Sequence, residues 1–336
     1  MKAVVQRRYG SPDLLRVEEV PIPAVGSDDV RVRVRAASLH PDVWHVVTGR
    51  PAVLRLMGAG RARPRQPIPG TDMAGIVDAV GAHVTRFRPG DAVFGETIPA
   101  MQWVNGGAFA EYVAAPQHLL ALKPSTVTFE QAASVPTAGY IALLNLPGLR
   151  EVGAGRRVLV NGAGGGVGTL VVQIAKAHGA HVTAVDTTGK LPMLRALGAD
   201  DVVDHTREDV TRRGGRYDLV VDVPVTRGFR AWRRLLGDDG RYVPIGHDHY
   251  GRVGGRLLGQ VPYFLTLLSL GRLDRHLRAP AAPRPTKSDA IEVLRRLLET
   301  GALTPPVDRV YPLEQVREAF HHLMEDELHG KVILAP

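Results

Sequence analysis

The chain has 336 residues, of which 44% are hydrophobic and 23% are charged, and it contains no cysteine. This composition is typical of a soluble globular protein, and the length is sufficient for two domains. Without cysteine, disulfides and cysteine-ligated zinc or iron–sulfur sites are excluded. The formal net charge of +8 favours polyanionic ligands such as nucleotides or nucleic acids.

Several features argue against membrane and nucleic-acid partners. The N-terminus, MKAVVQRRYG, lacks the apolar core of a signal peptide, and the longest apolar stretch, Val261 to Leu270, is too short to span a bilayer. The loop arginines Arg61, Arg63 and Arg65 have no aromatic residues between them that could stack on bases. We therefore expect a cytoplasmic protein that binds no membrane and does not have nucleic-acid binding as its main activity.

The N-terminal part of the sequence is typical of a partly closed β-barrel. Val30, Val32 and Val34 alternate with arginines, which predicts a strand with one buried and one wet face. Further short strands are predicted at 75–80, 92–94 and 108–114, because glycine, proline and asparagine turns separate them. Residues 54–69 are rich in arginine, glycine and proline and are expected to form a long loop.

From about residue 128 the pattern changes to alternating helices and strands. Strands are predicted at 158–160, 182–185, 201–203, 219–223 and 241–245, with helical segments between them. This alternation indicates a parallel sheet with helices on both faces. The proline- and alanine-rich stretch 279–286 indicates a crossover. Helices at 287–300 and 313–324 and a terminal strand at 331–334 follow, and we expect that strand to return to the first domain.

The turn after the first of these parallel strands has the chemistry of a dinucleotide-binding loop. Ala163, Gly165 and Gly168 hold the three positions of a G-x-G-x-x-G pattern between a strand and an amphipathic helix. Glycines there allow the backbone to approach a pyrophosphate, which the free amides of the helix N-terminus bind. A glycine-rich loop without a ligand is the alternative, but such loops rarely need so many glycines. The predicted loop ligands are Ala163, Gly164, Gly165, Gly166, Val167 and Gly168.

Several motifs occur in the order that they have in one family: PGTDMAG (69–75), FRPGD (87–91), GAFAEY (107–112), AGGGVG (163–168), LGAD (197–200) and GKVIL (330–334). With them the chain resembles the medium-chain dehydrogenase/reductase superfamily over nearly its whole length. Within it the chain looks like the quinone oxidoreductase branch, including the reticulon-interacting-protein-like group. The resemblance implies an α/β protein with a GroES-like barrel domain (1–124 and 280–336), a Rossmann domain (125–279) and a substrate cleft between them.

The resemblance also bears on zinc. Zinc-dependent members of the superfamily have a catalytic cysteine and histidine, and the matching positions here carry His40 and Thr71. Threonine is a poor zinc ligand, and the four-cysteine structural zinc lobe is absent. A metal held by His40 and Asp72 is the alternative to an ordinary polar contact between them. We expect an enzyme without a metal.

Two signals conflict on the nicotinamide cofactor. Asp186 ends the second strand of the nucleotide fold, where a carboxylate binds the ribose hydroxyls of NAD and repels the 2′-phosphate of NADP. By resemblance, Thr187, Lys190 and His205 stand at positions that bind that phosphate in NADPH-dependent relatives, and an ammonium does so by a charge-assisted hydrogen bond. NADPH is the expected cofactor, and NADH remains open.

Without a metal as Lewis acid, the plausible reaction is hydride delivery to a quinone or an α,β-unsaturated carbonyl, which are already electrophilic. By resemblance, His40 is the candidate donor to the substrate oxygen and Trp44 forms an apolar wall. The Tyr140 hydroxyl is expected near the nicotinamide ribose, and Gly246 and His247 near the nicotinamide ring. Each of them could instead be an ordinary packing residue.

Other readings of the sequence stay open. One is an enoyl-thioester reductase of a biosynthetic pathway, with an acyl channel beneath the 54–69 loop. Another is a non-catalytic protein that keeps the nucleotide fold for binding alone. RNA binding as a side activity occurs in parts of the resembling group, and the positive charge is compatible with it. By analogy with relatives, a homodimer is expected.

Overall fold

The computed structural model describes residues 1–99, 103–146, 152–246, 250–252, 255–277, 283–325 and 327–336. The chain forms two compact units. Unit 1 combines Met1–Tyr140 with Thr286–Pro336, and unit 2 is Ile141–Pro285. These boundaries lie later in the chain than the expected boundaries after residues 124 and 279. The first differs because the helix Phe129–Ala133 packs on strands of unit 1.

Unit 1 is built mainly from antiparallel strands. Its first part contains β1 (Lys2–Val5), β2 (Arg16–Glu19), β3 (Asp29–Leu39), β4 (Asp72–Val80), β5 (Ala92–Glu96), β6 (Tyr112–Pro116) and β7 (Leu120–Leu122). Helices α1 (Pro41–Thr48) and α2 (Phe129–Ala133) accompany them, and α3 (Pro136–Asn145) begins in unit 1 and ends in unit 2. In β3 the predicted alternation is confirmed, since Val30, Val32 and Val34 are buried while Arg33 and Arg35 are exposed.

Two predictions in this part of the chain need correction. The strand expected at 108–114 begins only at Tyr112, and Ala110 before it makes a single bridge to Ala3. The loop expected at 54–69 contains one turn of π-helix, Arg55–Ala59. Both differences arise because periodicity over a few residues specifies element boundaries poorly.

Unit 2 has a parallel sheet of β8 (Arg157–Asn161), β9 (His181–Asp186), β10 (Asp201–Asp204), β11 (Tyr217–Asp222) and β12 (Leu236–Pro244). The order is β10-β9-β8-β11-β12, so successive strands run outward in opposite directions from β8 and β11. Helices α4 (Gly166–Ala177), α5 (Leu191–Ala196), α6 (Phe229–Arg233) and α7 (Val261–Leu270) belong to this unit. Ligands of such sheets bind beyond the carboxyl ends of the strands at the point of reversal.

The last part of the chain returns to unit 1 with α8 (Lys287–Glu299), β13 (Val307–Pro312), α9 (Val316–Leu323) and β14 (Lys331–Ala335). Helix α8 begins with a capping box between Thr286 and Asp289, and its predicted apolar face, including Leu294 and Leu298, is buried. Strand β14 lies between β13 and β3, as expected for a terminal strand that completes the first domain. Across the described ranges, no helix combines the length and apolarity needed to cross a membrane.

Candidate substrate and cofactor sites

The paired ends of two strands in unit 1 bring a group of polar side chains together. His40 directly follows β3 and precedes Pro41, whose fixed φ suits the first position of α1. Asp72 opens β4 opposite Ser38 of β3. His40 is 4% exposed and Asp72 is completely buried. The strand register thus places both polar groups at one end of the sheet.

The Asp72 carboxylate is held by four hydrogen-bond donors. Thr137 donates from its backbone N–H (3.0 Å) and from its hydroxyl (2.5 Å). The hydroxyls of Thr71 and Ser38 donate at 3.1 and 3.5 Å. A buried charge is tolerated where hydrogen bonds replace water in this way. Asp72 is therefore the hydrogen-bonding centre of the cluster.

The hydrogen bonds around His40 assign its tautomer. Thr71 gives its only hydroxyl proton to Asp72, so its oxygen accepts the 2.9 Å bond from His40 Nε2. His40 Nδ1 then carries no proton, and it has no hydrogen-bond partner in the described part of the chain. Burial lowers the pKa of His40, which the Asp72 charge opposes. The ring is neutral and presents an unused acceptor.

A second buried charge pair lies across the same strands. Glu96 ends β5 directly opposite Asp72. Lys287, at the start of α8, donates hydrogen bonds to the Glu96 carboxylate and to the carbonyl of Ile98. Burial, reinforced by the Asp72 charge, raises the pKa of Glu96 to about 7, although Lys287 acts in the opposite direction. Glu96 thus holds a proton near neutral pH more firmly than an ordinary glutamate.

Lys331 adds a further charge to this interior. It is 5% exposed at the start of β14, whose next residue pairs with Leu39 of β3. Burial lowers the pKa of Lys331, and the carboxylates of Asp72 and Asp42 oppose that effect. The last strand of the chain therefore brings an ammonium group to the polar cluster.

Tyr140 lies beside the Glu96–Lys287 pair. Its ring centroid is 5.8 Å from Lys287 Nζ, and both residues border a cavity of about 10 Å³, which is enough for one water molecule. Trp44 is buried in α1 with its ring edge-on to His45. His40 thus lies in the hydrogen-bonded cluster around Asp72, and Tyr140 lies beside the Glu96–Lys287 pair.

In unit 2 the glycine-rich loop lies between β8 and α4, as predicted. Gly162 adopts a left-handed conformation with φ +75°. A Cβ on Gly168 would lie 2.2 Å from the carbonyl oxygen of Gly162, so only glycine permits this close packing. A Cβ on Gly165, which caps α4, would meet nothing nearer than 3.7 Å. Open space at Gly165 and the free amides of α4 fit an anionic pyrophosphate.

Asp186, at the end of β9, is turned toward this loop. Its Oδ2 accepts from Gly164 N–H at 2.7 Å, and its Oδ1 accepts from Thr187 N–H at 2.9 Å. Lys190 Nζ is 3.3 Å from Oδ1, and both side chains are buried. The buried Thr187 hydroxyl has no hydrogen-bond partner among the described residues. The exposed His205 follows β10 nearby and bonds the Asp186 carbonyl through its backbone.

The remaining predicted cofactor ligands follow β12. Gly246 has φ +91°, and a Cβ there would lie 2.5 Å from the Phe264 ring. The position therefore requires glycine for conformation and for space. His247 lies outside the described residues.

Sequence reasoning missed a buried network at the reversal point of the unit 2 sheet. Asp222 ends β11, is fully buried, and accepts hydrogen bonds from Asn161 and from the Tyr242 hydroxyl, both at 2.8 Å. Burial raises the pKa of Asp222, and these hydrogen bonds partly offset it. The sequence feature that could have indicated this network is an acidic residue, Asp222, at the carboxyl end of a central strand.

Glu96, Lys287 and Lys331 were also missed as parts of a site. They belong to different elements and form no local motif. In the part of the chain that the structure describes, no three histidine, aspartate or glutamate side chains lie close enough together to hold a metal.

Comparison with known proteins identifies the family. Residues 26–125 match the family described as Alcohol dehydrogenase GroES-like domain, and residues 197–334 match Zinc-binding dehydrogenase. An NADPH-dependent alkenal/one oxidoreductase of Arabidopsis thaliana, named as chloroplastic, is 32% identical over 100% of this chain and 80% of its own length. The chain belongs to the medium-chain dehydrogenase/reductase superfamily, in its quinone oxidoreductase branch.

Solved structures agree with this membership. The structure of the quinone oxidoreductase from Coxiella burnetii is 26% identical, with a TM-score of 0.79 over 100% of this chain and 99% of its own. A crystal structure of an NAD-dependent alcohol dehydrogenase is 30% identical, with a TM-score of 0.79 over 100% of both chains. The expected fold, a GroES-like domain with a Rossmann sheet, is confirmed. This superfamily member is an oxidoreductase that uses a nicotinamide cofactor.

Proposed function

We propose that the protein is an NADPH-dependent reductase that delivers hydride to a quinone or an α,β-unsaturated carbonyl without a metal. The observation that carries the proposal is the glycine cradle before α4, with Asp186 and Lys190 at the end of the next strand. The names of the relatives support the acceptor class. The metal-free part is supported by the absence of cysteine and by Thr71 at a zinc-ligand position.

The bound cofactor supplies a hydride, and the side chains prepare its delivery and the later protonation. Amides at the start of α4 bind the pyrophosphate, and the helix dipole favours its charge. Hydride addition at the β-carbon leaves negative charge on the substrate oxygen, which hydrogen-bond donors stabilise before a proton neutralises it. His40 and Trp44 are the proposed residues on the substrate side, and Tyr140 is the proposed residue beside the nicotinamide ribose.

His40 can donate to that oxygen in one way without a change of charge. The Thr71 hydroxyl turns from Asp72 to His40 Nε2, and the ring proton then resides on Nδ1. Asp72 keeps the two bonds from Thr137 in this arrangement. The buried Nδ1 has no hydrogen-bond partner among the described residues and lies 3.7 Å from a carboxylate oxygen of Asp42. It becomes the donor that the proposed role requires.

The preference for NADPH is supported by the state of Asp186. Its two oxygens already accept from Gly164 and Thr187, and Lys190 offsets its charge. Lys190 and the unpaired Thr187 hydroxyl are the proposed ligands of the 2′-phosphate, with His205 beside them. The similarity to an NAD-dependent enzyme makes NADH the competing cofactor.

Thermal unfolding of the purified protein with NADPH and NADH at matched concentrations tests this preference. A ligand that binds only the folded state raises the midpoint according to its affinity. NADPH should raise the midpoint more than NADH, and Lys190→Met should remove most of that difference. Lys176→Met, which breaks the ion pair with Asp200 instead, is the matched control. A larger shift with NADH in the wild-type protein would overturn the NADPH proposal.

Turnover measurements test the reaction itself. With NADPH present, quinones and short enones should be reduced, and the enone product should carry the cofactor's hydride at its β-carbon. Binding of NADPH without oxidation across a panel of such acceptors would contradict the proposal and favour a non-catalytic role.

We also propose a homodimer and a cytoplasmic location. Strand β12 pairs on one side only, with β11, among the described strands, so its free edge offers hydrogen bonds to a second copy. Light scattering of the purified protein would measure the mass directly. Because one relative is named as chloroplastic, the cellular location should be tested by imaging of the tagged protein.

A further inference from the structure

Exposed apolar side chains are concentrated in one segment of unit 2. Of the twelve large hydrophobic side chains that are exposed among the described residues, seven lie between residues 257 and 273. Within α7, a ten-residue helix, Leu267 is the buried residue. The exposed side chains of this segment are Leu257, Leu258, Val261, Leu265, Leu268, Leu270 and Leu273.

The exposed side chains form an ordered surface. Leu267 packs into the core cluster of unit 2, with Tyr263 partly buried against the same cluster. Val261, Leu265 and Leu268 are spaced i, i+4 and i+7 and share one face of α7. Leu265 is 58% exposed and Leu268 is 71% exposed. The helix is therefore anchored on one side and presents an apolar stripe on another, which in a soluble protein marks an interaction site.

The charged residues within this segment all have the same sign. Residues 250–273 contain no aspartate or glutamate and include Arg252, Arg256 and Arg272. Arg256, just before Leu257, and Arg272, just before Leu273, are exposed, and no ion pair is described for either. The nearest acid along the chain, Asp274, already pairs with Arg233 at 2.6 Å. We call the seven exposed apolar residues with Arg256 and Arg272 the α7 patch.

We propose that the α7 patch docks unit 2 on an anionic lipid surface. A short helix with an exposed apolar face can lie in the plane of a bilayer with that face at the headgroup boundary, while arginines that flank the helix in sequence bind lipid phosphates. Ten residues extend only about 15 Å, so α7 lies on the membrane and does not cross it. The sequence predicts no membrane binding, whereas on this proposal the protein binds the surface of a membrane.

Charge favours lipid over a second copy of the chain on this surface. A symmetric contact would place the patch against itself and bring arginines of both copies together without an acidic partner. An anionic bilayer instead supplies a phosphate for each guanidinium. The inference is independent of the proposed reaction, although a bilayer also dissolves lipophilic quinones.

The test is sedimentation of the full-length protein with vesicles in physiological salt. We expect binding to vesicles of phosphatidylcholine with phosphatidylglycerol and much weaker binding to phosphatidylcholine alone. Leu265→Ser/Leu268→Ser should reduce partitioning roughly tenfold or more, because two apolar side chains no longer leave water. Arg256→Gln/Arg272→Gln should reduce it about fivefold or more. The matched control is Arg61→Gln/Arg63→Gln, which removes two exposed arginines of unit 1 and should leave binding nearly unchanged.

Each variant is checked for an unchanged thermal midpoint, since all of the substituted residues are exposed. Equal losses from the control and from Arg256→Gln/Arg272→Gln would show nonspecific attraction by net charge and overturn the proposal. Unchanged vesicle binding by Leu265→Ser/Leu268→Ser would overturn it too. If Leu265→Ser/Leu268→Ser left vesicle binding unchanged and converted a dimer into a monomer, the α7 patch would bind a second copy of the chain.

Discussion

Buried charges in unit 1 are balanced within a few side chains. Asp72 and Glu96 face each other across β4 and β5, and Lys287 and Lys331 come from the last part of the chain. The Asp72 charge disfavours the ionised form of Glu96, while the ammonium group of Lys287 acts in the opposite direction. The pKa of Glu96 is about 7, so its protonation state changes with pH near neutrality.

Glu96 should contribute a measurable pH dependence of stability. Its pKa is raised from 4.5 to about 7 in the folded protein, so folding favours its protonated form. The stability that it contributes is complete below pH 4.5 and is lost as the pH rises to about 7. The shift corresponds to about 3 kcal/mol, as an order of magnitude.

Chemical denaturation of wild type and Glu96→Gln at several pH values measures this contribution. As the pH rises from 4.5 to 7, the free energy of unfolding of the wild type should fall relative to that of Glu96→Gln. Glu96→Gln/Lys287→Met controls for the lost ion pair. A difference that does not vary with pH would contradict the raised pKa.

His40 is the residue whose replacement should separate chemistry from binding. If His40 donates to the substrate oxygen, His40→Ala removes a bond that strengthens as charge develops there, so kcat should fall about a hundredfold with little change in KM. Steady-state kinetics with an enone and a quinone provide the measurement. His45→Ala, in the helix α1 that follows His40, is the control. Equal kinetics for wild type and His40→Ala would remove His40 from the mechanism.

At the scale of elements, the β8–α4 turn separates two uses of glycine. Gly168→Ala would place a Cβ 2.2 Å from the Gly162 carbonyl oxygen, whereas Gly165→Ala meets nothing within 3.7 Å. We expect Gly168→Ala to lower the thermal midpoint by several degrees. Gly165→Ala should leave the midpoint of the free protein unchanged and weaken NADPH binding, because its methyl group occupies space for the pyrophosphate. Calorimetry with and without NADPH distinguishes the two, and equal effects on both quantities would refute this division.

Elements with a strong local signal could be predicted from the sequence. The alternation in β3 and the glycine pattern before α4 each specify structure within one short window, and the C-terminal GKVIL motif identified a returning strand. The polar cluster could not be predicted in full. Glu96 and Lys331 approach Asp72 through the register of β5 on β4 and of β14 on β3, and register is a tertiary property. The exposure of α7 was missed because an apolar run predicts burial equally well.

At the scale of the whole molecule, unit 1 depends on both ends of the chain. Strand β14 separates β13 from β3 in the sheet, and its residues Val332, Ile333 and Leu334 are completely buried. Deletion of residues 331–336 should expose two strand edges and abolish cooperative folding of unit 1. Limited proteolysis should then cut residues 1–140 rapidly and spare residues 157–244. Equal resistance of truncated and full-length protein would contradict this dependence.

The same topology sets an order of events during synthesis. All strands of unit 2 leave the ribosome before Lys287 and Lys331 are made, so its sheet can form while translation continues. Strand β3 is made before the strands of unit 2, yet its sheet is complete only with β14, which is made after them. His40 and Asp72 therefore acquire Lys287 and Lys331 as neighbours only after all strands of unit 2 have been made. A nascent chain gains the fold that binds nucleotide first, and the polar centre proposed for its chemistry last.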